Sequence, residues 1–156
     1  MKSETEILNI EDAILKNGFI VKSTSGVSMW PMLRHRKDMV VIEQVNRPLR
    51  KYDVPLYRGG ANRYILHRII GIKPDGTYII RGDNTYTREY VKPERVVGVL
   101  REFYRNGKHV VCAESKGYKV YIGYKMVSYP FRKIFKIYIK PPLWRILSKI
   151  KHIIFK

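Results

Sequence analysis

Ser28 stands in Gly26-Val27-Ser28-Met29-Trp30-Pro31-Met32-Leu33, a hydroxyl among small and apolar residues with a chain-stiffening proline just beyond it. A serine hydroxyl becomes a nucleophile only where a neighbouring base takes its proton and nearby donors hold the oxyanion that forms. The chain offers four histidines as that base. His35 lies in the charged turn Arg34-His35-Arg36-Lys37-Asp38, His109 follows an Asn-Gly turn, and His152 sits in a basic tail. His67, in Tyr64-Ile65-Leu66-His67-Arg68-Ile69-Ile70, is embedded in an apolar strand, where a fold has reason to hold an imidazole still. A satisfied core histidine is the non-catalytic reading of the same pattern. Asp83, in Ile80-Arg81-Gly82-Asp83-Asn84-Thr85, ends a strand and opens a turn, a place suited to orienting an imidazole or to making an Asx turn.

The elements that must position these groups are mostly β. From Phe19 to about Cys112 the sequence reads as short strands: Phe19–Ser23, Asp38–Glu43, Tyr52–Arg58, Arg63–Ile72, Thr77–Gly82, Arg95–Tyr104 and Lys108–Cys112. Two turns are specific: Pro74-Asp75-Gly76 between apolar runs, and Asn106-Gly107, a pair that supplies two positive-φ residues for a tight hairpin. Ahead of the strands, Ser3 and Glu6 have capping-box spacing, Ile7, Ile10 and Ile14 share a helical face, and Gly18 can close the helix. The expected organisation is a helix over residues 1–18, a β domain over 19–114 and a basic extension over 115–156.

A chain of 156 residues, 45% hydrophobic, supports one core. Its net charge of +18 exceeds what solubility requires and points to an anionic partner, nucleic acid or lipid. The single cysteine, Cys112, rules out an intrachain disulfide and reads as a small buried hydrophobe. No secretory signal is expected, because Glu4, Glu6, Glu11 and Asp12 interrupt the N-terminal stretch. The longest run without a charged residue or histidine, Ser23–Leu33, is half polar and well short of the roughly 18 to 20 apolar residues of a spanning helix.

From Lys116 to Lys156 there is no acidic residue, against eleven Lys and Arg. In the final stretch Leu143, Ile146, Leu147, Ile150, Ile153 and Ile154 share one helical face, with Arg145, Lys149, Lys151 and Lys156 off it and Trp144 and Phe155 beside it. That pattern fits a helix lying in a membrane interface, with Trp144, Arg145, Lys149 and Lys151 as surface contacts, or a helix packed on its own domain with a solvated basic face.

Three segments in order, Ser25–Leu33, Tyr64–Ile72 and Ile80–Glu89, resemble the serine, base and acidic boxes of type I signal peptidases, which share their catalytic core with LexA-type self-cleaving repressors. The resemblance covers about Ser25 to Leu100 and implies a signal peptidase/LexA-like β-fold, here with a short N-terminal helix and a basic amphipathic C-terminal helix. By that resemblance Ser28 is the nucleophile, with Met29 and Pro31 fixed behind it. His67 stands where most bacterial enzymes and the repressors carry lysine; histidine at that place is the pattern of the archaeal and endoplasmic-reticulum enzymes. Arg68 matches the arginine that follows, and Asp83 and Asn84 match the Gly-Asp-Asn box. Glu89 stands six residues beyond Asp83, where that subgroup usually has a second aspartate.

Histidine is already mostly neutral at pH 7, whereas a lysine base must be desolvated by several pK units. An imidazole gains from a carboxylate that fixes its tautomer, a role expected for Asp83 with Glu89 in reserve. The oxyanion hole is expected from the Ser28 N–H, with Gly26 leaving room for substrate and Ser25 as a candidate second donor. Lys37-Asp38 and Tyr52-Asp53 replace the family's usual Gly-Asp pairs, so two turns that favour positive φ carry side chains. The family's usual N-terminal membrane anchor is replaced by a short helix, and the basic tail is expected to substitute, attaching the domain peripherally to the cytoplasmic face of a membrane.

The sequence therefore predicts a serine endopeptidase cutting a peptide or preprotein after small residues. No metal or organic cofactor is expected, since the histidines lack ligand spacing and there is no phosphate-cradling loop. Three other readings remain: a non-catalytic peptide-binding module on the same fold; a self-cleaving regulator, disfavoured by the lack of a DNA-reading domain and of an Ala-Gly or Cys-Gly cleavage pair; and a nucleic-acid binder, favoured by charge alone.

Overall fold

The computed structural model describes residues 4–60 and 63–139, with side chains from Ile10 onward. Helix α1 spans Glu4–Asn17. Ile10 and Ile14 are buried as the apolar face requires, while Ser3 and the side chains of Glu6 and Ile7 lie outside the described residues. Gly18, at φ +78°, ends the helix by donating its N–H to the Ile14 carbonyl at 2.9 Å. Across the helix, Glu11 accepts hydrogen bonds at 2.6 Å from Arg58 Nε and from the Tyr64 hydroxyl. The Arg58 bond holds the Glu11 carboxyl below its ordinary range despite partial burial.

Among the described residues nine strands follow: β1 Phe19–Ser23, β2 Met39–Glu43, β3 Pro55–Arg58, β4 Tyr64–Leu66, β5 Arg68–Ile72, β6 Tyr78–Arg81, β7 Glu89–Val91, β8 Val96–Arg105 and β9 Lys108–Val111. The fold is mostly β, as the sequence predicts. Strand β8 is the spine of a six-stranded antiparallel sheet: β2 pairs along one edge and β3, then β9, along the other, with β1 and β4 outside β2 and β3. The second sheet is the antiparallel set β5-β6-β7. Leu49 from the β2–β3 loop and Tyr57, Ile69, Tyr78, Ile80, Val91 and Val99 from strands of both sheets form a buried cluster. Helix α1 lays Ile14 against β8 at Gly98, where a Cβ would come within 2.6 Å of Ile42 and 2.9 Å of the Glu43 carbonyl.

Both predicted turns form. Asn106 and Gly107 take φ values of 51° and 72°, the twist a two-residue hairpin needs. Gly76 takes φ 81° while Asp75 Oδ1 accepts from the Thr77 N–H at 3.0 Å. Of the two Gly-less turns, Tyr52 does adopt positive φ, 82°, and in the other the left-handed residue is Arg36 (φ 54°), one place before Lys37.

One expectation is corrected. The run Arg63–Ile72 is not a single strand: β4 ends at Leu66, β5 begins at Arg68, and the two belong to different sheets. His67 is the junction residue.

Ser115 opens the second helix, its Oγ accepting from the Tyr118 N–H at 3.1 Å. This helix, α2, spans Lys116–Ile134 and leads into a π-helical turn over Phe135–Ile139. The chain divides into two compact units at residues 119/120, with α1 and the first turn of α2 in the same unit as the strands. Among the described residues no helix is long and apolar enough to cross a membrane. The amphipathic face read at 143–154, with Trp144, Arg145, Lys149 and Lys151, lies outside the described residues.

Candidate active site

Ser28 lies on a tight loop between β1 and β2 that its own sequence closes. Thr24 and Asp38 clamp the base: the Thr24 N–H donates to the Asp38 carbonyl at 3.0 Å, and the Arg36 N–H to the Thr24 carbonyl at 2.8 Å. Buried Asp38 takes the Arg34 N–H at 2.7 Å and Arg34 Nε at 3.0 Å. These bonds outweigh the cost of burial and keep its carboxyl below the ordinary range. Inside the loop, the Trp30 N–H donates to Val27 and the Leu33 N–H to Met29, making a helical turn that buries Met29, Met32 and Leu33 and leaves Val27 and Trp30 exposed. Gly26 sits at φ +86°, its N–H donating to His35 Nδ1 at 2.8 Å, and a Cβ there would meet nothing within 4 Å.

The acidic box grips the loop from across the domain. The Asn84 N–H donates to the Ser28 carbonyl at 2.7 Å, and Asn84 Nδ2 to the Val27 carbonyl at 3.1 Å. Gly82 brings His67 to the same place. A Cβ on Gly82 would lie 2.7 Å from the Ser28 carbonyl oxygen and 3.0 Å from His67 Nε2, so only glycine fits between them. The Nε2 edge of the imidazole and the Ser28 backbone are thus neighbours across a single missing side chain.

His67 is buried, and its other edge is held by a carboxylate. Nδ1 lies 2.9 Å from Glu89 Oε1, and the buried Tyr57 hydroxyl donates to Glu89 Oε2 at 2.9 Å. A carboxylate accepts, so Nδ1 carries the proton and Nε2, facing the serine loop, is left with a lone pair. Burial pushes the His67 pKa below its ordinary 6.5, with Glu89 and then Asp83 opposing. The imidazole is therefore neutral at pH 7, the form a general base needs. Burial, reinforced by Glu89, pushes the Tyr57 phenol well above its usual range, so it stays a donor.

The carboxylate on the imidazole is Glu89, not Asp83. Asp83 is 1% exposed at its side chain and receives Arg68 Nε at 2.9 Å and Nη2 at 2.8 Å, a bidentate pair with a fully buried guanidinium. Arg68 also donates from Nη1 to the Tyr52 carbonyl at 3.1 Å and the Tyr118 hydroxyl at 2.9 Å. Burial alone would lower the Arg68 pKa, but the Asp83 pair more than offsets it and the guanidinium remains charged. Glu89 reaches His67 because β7 pairs Glu89 with Ile80 of β6, and Ile80 pairs with Ile69 of β5, two residues beyond His67.

Tyr57 and Gly82 escaped the sequence reading. Tyr57 looks like any core strand residue, since its signal is a register and not a motif. Gly82 was visible as the residue before Asp83. Burial lifts the Cys112 thiol to about 11, which suits an inert side chain. Among the described residues no three of His, Cys, Asp and Glu are grouped to hold a metal ion. No family model and no curated protein matches the chain.

Proposed function

We propose that the chain is a serine endopeptidase of the type I signal peptidase kind, cutting signal or leader peptides after small residues. Ser28 Oγ would attack the scissile carbonyl while His67 Nε2 takes its proton. Glu89 would stabilise the imidazolium, with Tyr57 fixing the carboxylate in turn. The imidazolium then gives its proton to the leaving amine as the C–N bond breaks, leaving an acyl ester on Ser28. Water, deprotonated by the same Nε2, cleaves that ester and releases the acid. The observation that carries the reading is the imidazole itself: Nδ1 on a carboxylate and Nε2 meeting the Ser28 loop at Gly82. The signal peptidase/LexA-like assignment rests on the resemblance of the three boxes. The basic extension, residues 115–156, would attach the domain peripherally to an anionic membrane surface on its cytoplasmic face.

A non-catalytic peptide-holding module is the second reading, favoured by the position of β1 at the end of the large sheet, open to an added strand beside exposed Val27 and Trp30. Mass spectrometry of a pooled small-residue leader-peptide library incubated with the wild type, Ser28→Ala and His67→Ala separates the two. Cleavage by the wild type alone is the expected result. Peptide binding without cleavage in all three would establish the second reading instead.

A further inference from the structure

The described part of the extension carries a surface that the sequence reading did not single out. Along α2 and its terminal turn, Val120, Tyr124, Val127, Phe131, Ile134 and Tyr138 recur at alternating spacings of four and three, the interval that aligns side chains on one face of a helix. All six are exposed, Val127 and Phe131 at 72% each. Phe135 and Ile139 extend the apolar surface at its C-terminal end. A soluble helix does not ordinarily turn its apolar stripe to water while Lys125 is 3% exposed.

The charge pattern selects what covers the stripe. Lys116, Lys119 and Lys133 are exposed on the same helix, and the chain from 116 to 156 holds eleven cations and no acidic side chain. A second copy of this helix would bring two wholly cationic segments together, whereas an anionic lipid interface offers acyl chains to the stripe and headgroup charge to the lysines. Tyr124 and Tyr138 suit that boundary, with an apolar ring and a polar tip. We propose that α2 is an interfacial helix that lays the Val120–Tyr138 stripe into the surface of an anionic phospholipid bilayer. This rests on the membrane-surface reading above and moves its centre from residues 143–154 to α2. The root of the helix is fixed in the peptidase unit: Tyr118 is buried, its ring set edge-on to Phe103 and its hydroxyl held by Arg68, which holds Asp83. The bilayer contact thus begins two residues beyond a side chain bonded to the arginine that neighbours the general base.

Flotation of the full chain with vesicles of phosphatidylglycerol and phosphatidylcholine, and with phosphatidylcholine alone, tests this. Three proteins are compared: the wild type, Val127→Ser/Phe131→Ser, and Leu147→Ser/Ile150→Ser, each checked for folding by circular dichroism. The wild type is expected to float with anionic vesicles only and to be released by salt. The α2 double variant should lose binding by about tenfold or more, and the distal one by less. Loss in the distal variant with the α2 variant unchanged would overturn the placement on α2 while leaving membrane attachment intact. Failure of the wild type to float, with sedimentation showing a dimer that Val127→Ser/Phe131→Ser dissolves, would overturn both and make the stripe a contact between copies.

Discussion

His67 and Arg68 are neighbours in the chain, each bonded to a carboxylate, and the two pairs are built for different work. In His67–Glu89 the imidazole is 9% exposed and the Glu89 side chain 37%, so the pair borders solvent. Arg68–Asp83 is sealed, at 0% and 1% exposure, and ties β5, the acidic box, the Tyr52 turn and the first turn of α2 into one knot. One peptide step therefore separates a pair that borders solvent from a pair that is sealed. Proximity in sequence does not decide the pairing: Asp83 is nearer along the chain and binds Arg68, while Glu89 takes the imidazole.

Five substitutions sharpen the contrast, taken from the largest effect to the smallest. Ser28→Ala and His67→Ala should each cut the cleavage rate by on the order of ten-thousandfold or more, measured on a purified peptide substrate, with little change in the urea midpoint. Glu89→Gln should lower the rate about a hundred- to ten-thousandfold, as loss of an orienting carboxylate does, again with near-native stability. Arg68→Met should do the reverse, costing about 3–5 kcal/mol in urea unfolding because it strands the buried Asp83 charge. A companion Asp83→Leu in the same chain should restore part of that loss. Tyr57→Phe removes one hydrogen bond to Glu89 and should cost about 0.5–1.5 kcal/mol in stability, with a modest fall in rate.

Much of this was legible from the sequence where the physics is local. The Asn106-Gly107 and Asp75-Gly76 turns announce themselves through residues that accept positive φ, and β1 falls where the apolar run Phe19–Ser23 places it. Ser28 and His67 were legible because a loop serine and an apolar-flanked imidazole are unusual company. What was hidden depends on register. The break at His67 is not marked by a turn residue, for apolar residues flank His67 and Arg68 on both sides, and the charge of Arg68 is itself buried against Asp83. Glu89 is presented by the short strand β7, which the sequence reading did not mark, and its reach to His67 exists only once β5, β6 and β7 are aligned. The four-three spacing of the α2 stripe is present in the sequence, but Lys125, Arg132, Lys133 and Lys136 are interleaved with it and mask its periodicity.

The central claim is that His67, oriented by Glu89, is the base for Ser28, and the pH dependence of the cleavage rate tests it most directly. Only neutral imidazole can accept the serine proton, and burial sets its pKa below 6.5. The wild-type rate should therefore be full at neutral pH and fall as the pH drops through a midpoint under that value. Glu89 raises the His67 pKa, so Glu89→Gln should shift the acid limb lower while reducing the plateau, and Asp83→Asn should shift it less. A limb that Glu89→Gln leaves in place, or that Asp83→Asn moves as far or further, would contradict the assignment of the pair.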